Sequence, residues 1–158
     1  MPRDFPQPTS EDIQSIISRE LHLEGPLLPI LHAIQESYGH VPDAAIQPIA
    51  DALNITRAEV HGVVSFYHDF RKVPAGRHVV KICRAEACQS MGSTALADAA
   101  LARLGIAWHG TTANGNVTVE PVYCLGLCAC APAVMVDGRV IGRVDDARLD
   151  TILKEAGA

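Results

Sequence analysis

The chain has 158 residues, of which 48% are hydrophobic, 20% charged and 4% aromatic, and it carries a formal net charge of −5. This length suits one ordinary domain or a compact domain with a helical extension. An acidic balance with few aromatics disfavours nucleic-acid binding, which rewards basic surfaces and stacking platforms; no apolar run approaches the roughly 20 residues that span a bilayer, so no membrane insertion is expected.

Residues 1–8 hold three prolines and lack the charged-then-apolar shape of a secretion signal, so they read as a short disordered lead on a cytoplasmic chain. In that reducing compartment five cysteines, an odd number, make a poor disulfide framework and are better suited to be ligands.

Residues 9–72 read as a helical bundle. Thr9 or Ser10 can cap a first helix with Ile13, Ile16, Ile17 and Leu21 on one face, and Gly25-Pro26 breaks it. Leu27, Ile30, Leu31 and Ile34 form a second stripe that ends at Tyr38-Gly39, where glycine can take a left-handed cap. A third helix follows Pro42-Asp43 with Ile46, Ile49, Ala50 and Leu53 inward; Pro48 removes a backbone donor, which predicts a kink or a late start. Asn54 ends that helix. Thr56-Arg-Ala-Glu59 is a capping box opening a fourth helix through Val60, Val63, Val64 and Tyr67.

The pattern changes near residue 73. His78–Cys83 reads as a buried strand, followed by an alanine-rich helix from Ser93 to Leu104 and a second strand over Val117–Tyr123. Residues 133–142 form a hairpin about Asp137-Gly138, and a final helix runs from Asp145 to Glu155. The order β-α-β-β-β-α over 73–158 is that of a reduced thioredoxin-like fold, so the fold class is α+β.

Four cysteines fall into two tight pairs at strand ends, Cys83-x4-Cys88 and Cys124-x3-Cys128. Two loops that each offer two thiolates suit a [2Fe–2S] cluster, in which each iron takes two cysteines. Structural zinc is the rival that spacing leaves open. A thioredoxin-like dithiol would need C-x-x-C, which is absent. Gly126 suits a bend that brings amide N–H groups to the sulfurs, and a helix N-terminus beside Cys88 would favour negative charge. Cys130 is left out of the ligand set as a small packed residue or a neighbouring thiol. The seven histidines show no ligand spacing, and Arg84 and Glu86 read as solvated loop charges.

Residues 49–60 also resemble the middle of a helix-turn-helix, so an iron–sulfur or zinc DNA-binding regulator is a reading of another class. Its candidate recognition helix, Arg57–Tyr67, offers one arginine and no lysine to phosphates or base edges.

Pro42-Asp-x-Ala-Ile46, Ala58-Glu-Val-x-Gly-Val-x-Ser-Phe-Tyr67, Cys83-x4-Cys88 and Cys124-Leu-Gly-x-Cys128 before Ala131-Pro132 together resemble the NuoE-type [2Fe–2S] subunit family of NADH-linked oxidoreductases such as respiratory complex I. The resemblance implies that Cys83, Cys88, Cys124 and Cys128 ligate one cluster. It also implies a one-electron carrier without a substrate site of its own, docked against a subunit bearing FMN and binding NAD. Within the family, the two cysteine loops and Cys130 are most similar to the gamma subunit of soluble NAD-dependent formate dehydrogenases, which implies a molybdenum-containing catalytic subunit in the same complex. Complex I and a soluble NAD-linked hydrogenase are the alternative settings.

Overall fold

The computed structural model describes residues 6–158; the first five residues of the expected lead lie outside it. The chain divides into two compact units, with the boundary between Pro74 and Ala75.

The first unit is four helices: α1 (Ser10–Glu20), α2 (Leu27–Tyr38), α3 (Asp43–Leu53) and α4 (Arg57–Phe66). Thr9 caps α1 by accepting from the Asp12 amide, Gly39 closes α2 at φ 72°, and Asn54 closes α3 at φ 52°. Both halves of the predicted capping box are made at α4: the Thr56 hydroxyl accepts from the Glu59 amide, and the Glu59 carboxylate accepts from the Thr56 amide at 2.7 Å. The apolar stripes meet in one core in which Ile13, Ile17, Ile30, Leu31, Ile34, Ile49 and Val60 are all fully buried. Each such side chain contributes about 1.5–3 kcal/mol relative to exposure.

Three expectations change here. The helix α3 begins at Asp43, so of the kink or late start expected from Pro48 the late start does not occur. The donor that Pro48 lacks would have served the carbonyl of Ala44, an exposed residue. Leu21 lies beyond the end of α1 and is 41% exposed, and Tyr67 lies beyond α4 and is 44% exposed; neither belongs to the buried stripe. The chain turns after α4 because Gln35 holds the following segment from both ends of its amide, donating to the Asp69 carbonyl and accepting from the Arg71 amide, each at 2.7 Å. The single arginine of α4, Arg57, forms a two-pronged pair with Asp43 of α3.

The second unit is a four-stranded sheet with three helices: β1 (His78–Cys83), α5 (Glu86–Ser90), α6 (Ser93–Leu104), β2 (Val117–Val122), β3 (Val134–Val136), β4 (Arg139–Ile141) and α7 (Asp146–Glu155). The sheet order is β2-β1-β3-β4, with β1 parallel to β2 and antiparallel to β3. Val80, Ile82, Val117, Val119 and Val134 pack with Leu96, Ala97 and Ala100 of α6 and Leu149 and Leu153 of α7. Alanines with no exposure at positions 97 and 100 let α6 lie close on the strands. The hairpin turn has both central residues left-handed, Asp137 at φ 48° and Gly138 at φ 88°, the geometry that Asp-Gly favours. Its Asp137 carboxylate also reaches back to β1, accepting from the Val79 amide at 2.9 Å and facing His78 Nδ1 at 2.6 Å. The helix α5 is an addition to the predicted order.

Candidate metal centre

The four paired cysteines come from four different local settings. Cys83 is the last residue of β1. Cys88 is the third residue of α5, so the expected loop between them contains a helical turn. Cys124 stands two residues past the end of β2, and Cys128 opens the short 3-10 turn Cys128–Cys130. Cys83 and Cys88 are each 2% exposed and form a small apolar cluster with Ala133, against which Val122, Leu125, Leu127 and Ala131 pack. Cys124 and Cys128 are exposed.

The strands set these positions through backbone hydrogen bonds. The Cys83 amide donates to the Ala133 carbonyl at 3.0 Å, and the Arg84 amide to the Val122 carbonyl at 2.7 Å. The fully buried Ser93 hydroxyl donates to the Cys83 carbonyl, which ties the start of α6 to the end of β1. On the other loop, Cys124 is held at φ 106° and Gly126 at φ 78°. A side-chain-bearing residue avoids the first of these conformations at a cost of roughly 1–3 kcal/mol. The resulting bend brings Cys124 Sγ to 3.8 Å from Cys128 Sγ and lets the Gly126 amide donate to Cys124 Sγ at 3.4 Å.

The sulfurs are therefore grouped two and two. Among the described residues, no three His, Cys, Asp or Glu side chains gather as tightly as one metal ion would need. The pairs nevertheless sense each other. Burial pushes the Cys88 thiol up from its ordinary pKa, aided by its hydrogen bond to Cys83 and by the charges of Cys83 and Cys128; an amide bond from Ala133 acts in the opposite direction. The Cys128 thiol is raised first by its hydrogen bond to Cys124, then by the charge of Cys124, burial and the charge of Cys83. Cys88 and Cys128 thus resist ionising in the absence of a cation, and bound iron would supply the charge that favours thiolate. The donor set, its pairing and the amides aimed at sulfur fit a [2Fe–2S] cluster.

Cys88, the third residue of α5, does lie in the first turn of a helix, and the backbone of Ala133 also favours its thiolate. One expectation is corrected at this site. Arg84 is not a solvated loop charge: its guanidinium lies 5.3 Å from the ring centre of Trp108, and its Nε is buried without a hydrogen-bond partner. Ser93 and Ala133 carried no sequence signal for the site. A serine at a helix start reads as a cap, and an alanine's amide is invisible to pattern. Cys130 lies in the 3-10 turn, partly exposed, its amide donating to the Leu127 carbonyl at 2.8 Å.

A sheet of this order with paired cysteines at the ends of its first two strands defines a class of small iron–sulfur electron carriers. The chain belongs to the thioredoxin-like [2Fe–2S] ferredoxin family, whose model matches residues 13–157. It is 34% identical over 151 residues to the NADP-reducing hydrogenase subunit HndA of Solidesulfovibrio fructosivorans, covering 96% of this chain and 88% of that one. It is 37% identical over 149 residues to an NADH-quinone oxidoreductase subunit of Pseudomonas aeruginosa, covering 92% of this chain and 88% of its relative. Among solved structures, a chain of the NAD+-reducing [NiFe]-hydrogenase in the air-oxidized state matches with a TM-score of 0.68 and 27% identity over 82% of this chain; the chain spans 22% of that larger one.

Proposed function

We propose that Cys83, Cys88, Cys124 and Cys128 hold one [2Fe–2S] cluster and that the chain is the one-electron-transfer subunit of an NADH-linked oxidoreductase complex, working beside a subunit that carries FMN and binds NAD. The observation that carries this reading is the two-and-two grouping of the sulfurs, one pair buried and one exposed. When bound, the cluster supplies one-electron redox chemistry. The residues of the chain supply the rest. Cys83 and Cys88 anchor the inner side in an apolar pocket of Ala133, Val122 and Leu125, which excludes water. The Ala133 and Gly126 amides place positive dipole at sulfur, stabilising added negative charge. Cys124 and Cys128 leave the outer side open to a partner. We assign Phe66 and Val73, 73% and 71% exposed, to partner surface on the first unit.

The setting we propose is an NAD-dependent formate dehydrogenase, in which a molybdenum-containing subunit oxidises formate to CO2 and the electron pair reduces NAD+ to NADH. Its support is the sequence of the two loops, Cys83-Arg-Ala-Glu-Ala-Cys88 and Cys124-Leu-Gly-Leu-Cys128-Ala-Cys130. Complex I or an NAD-linked hydrogenase is favoured instead by the names of the relatives above. Anaerobic purification of the tagged chain with its native complex tests both levels. Expected are an EPR signal of a reduced [2Fe–2S] centre, acid-labile sulfide, and co-purifying molybdenum with formate-dependent NAD+ reduction. Colourless protein containing zinc ends the electron-carrier reading. A red complex that reduces NAD+ with hydrogen, or oxidises NADH with quinone, and is inert to formate ends only the formate assignment.

A further inference from the structure

We infer that Gly142 is a positioning residue for the outer cysteine pair: it lets the strap between β4 and α7 lie flat against the turn that carries Cys128. The inference rests on the reading of Cys128 as a cluster ligand. A Cβ added at Gly142 would stand 2.8 Å from Cys130 Cβ, 2.8 Å from the Cys130 carbonyl oxygen and 3.4 Å from Leu127 Cδ1. The first two contacts are closer than carbon tolerates, and neither neighbour is the free end of a flexible side chain. The backbone of Gly142 is not in the left-handed region, so any residue could adopt its conformation. Space alone demands glycine here.

The strap then grips the turn through its next two amides. Arg143, at φ 53°, donates to the Cys130 carbonyl at 2.6 Å, and Val144 donates to the Pro132 carbonyl at 3.0 Å. From the other side, Arg148 Nη1 donates to the Gly142 carbonyl at 3.0 Å. Arg148 belongs to the first turn of α7, where its amide is capped by Asp145 at 2.8 Å, and the next residue, Leu149, is fully buried in the core. A rigid helix thus supports the strap, the strap supports the Cys128–Cys130 turn, and the turn sets the 3.8 Å approach of Cys128 Sγ to Cys124 Sγ. Within the segment 123–129 only Leu125 and Leu127 pack inward, and Cys124 and Cys128 themselves are exposed, so the strap adds to the support of that distance. Cys130 meets the strap with its Cβ and carbonyl; the thiol is not what the contact uses.

The test is Gly142→Ala in the full chain purified with its cluster, read by EPR g values, midpoint potential, iron per chain and far-ultraviolet circular dichroism. Shifted g values and potential in a folded protein are expected. Cys130→Ala keeps Cβ and carbonyl and should leave the spectrum as in the wild type. So should Gly62→Ala, where an added Cβ meets nothing within 4 Å. Wild-type g values and potential in Gly142→Ala overturn the inference, as does a shift in Cys130→Ala as large as that in Gly142→Ala. Should Gly142→Ala fail to fold, Arg148→Gln removes only the support beneath the strap; a smaller shift in g values and potential supports the inference and an unchanged signal overturns it. Full cluster content with wild-type g values and potential in Cys128→Ala would instead overturn the ligand reading beneath the inference.

Discussion

Cys83 and Cys124 occupy opposite environments although each stands at or just past a strand end. Cys83 is the terminal strand residue, sealed by Ala133 and tied by the Ser93 hydroxyl, whereas Cys124 has already turned outward at a positive φ. This difference predicts unequal tolerance of serine. At Cys124 or Cys128 water can complete a weakened coordination shell, but at Cys83 or Cys88 the apolar pocket offers no substitute. Iron per chain after anaerobic purification should therefore fall further in Cys83→Ser and Cys88→Ser than in Cys124→Ser and Cys128→Ser; the reverse ranking would contradict the inner-and-outer arrangement. Spacing made the two pairs legible in the sequence. It could not rank them, because burial depends on residues far along the chain. Arg84 illustrates the same limit: a charged residue in a loop looked solvated until Trp108, remote in sequence, was folded against it.

Local signals governed the elements most directly. Caps at Thr9, Gly39, Asn54 and Thr56 ended or opened helices where the pattern placed them, because capping involves groups within a few residues of each other. The capping box at α4 gives a pH prediction. The Thr56 amide, and then its hydroxyl, hold the Glu59 carboxyl below the ordinary glutamate pKa. A carboxylate depressed in the folded state contributes stability that is present above its unfolded pKa and is lost as pH falls through the folded value. In the acid limb of an unfolding titration, Glu59→Gln should thus flatten the pH dependence relative to wild type; identical slopes would mean that the box is not formed in solution. Short elements were less legible. The helix α5 has five residues with too little periodicity to announce itself, and it forms where the chain must bend from Cys83 to Cys88.

At the scale of the whole chain, two cores that share no residue predict separable stability. The first gathers residues from Ile13 to Phe70; the second and the cysteine cluster lie wholly beyond residue 75. Metal binding stabilises only the unit whose ligands it orders. Calorimetry of the full chain should show two unfolding transitions, and removing iron should lower only the one belonging to residues 75–158. A single transition that moves as a whole would show that the two units unfold as one. Among the described residues no helix is long and apolar enough to cross a membrane.

Apart from α5, the sequence by itself determined the elements of both units, the left-handed hairpin turn and the pairing of the four thiols along the chain, because periodicity, caps and cysteine spacing are short-range properties that each segment carries with it. Only the tertiary structure decided that one pair of thiols is buried and the other exposed, that the turn carrying Cys128 rests on a strap from β4 to α7, and that Cys130 lies against Gly142. Those relations join residues separated by most of a domain, and only the packing of strands and helices brings them within contact distance.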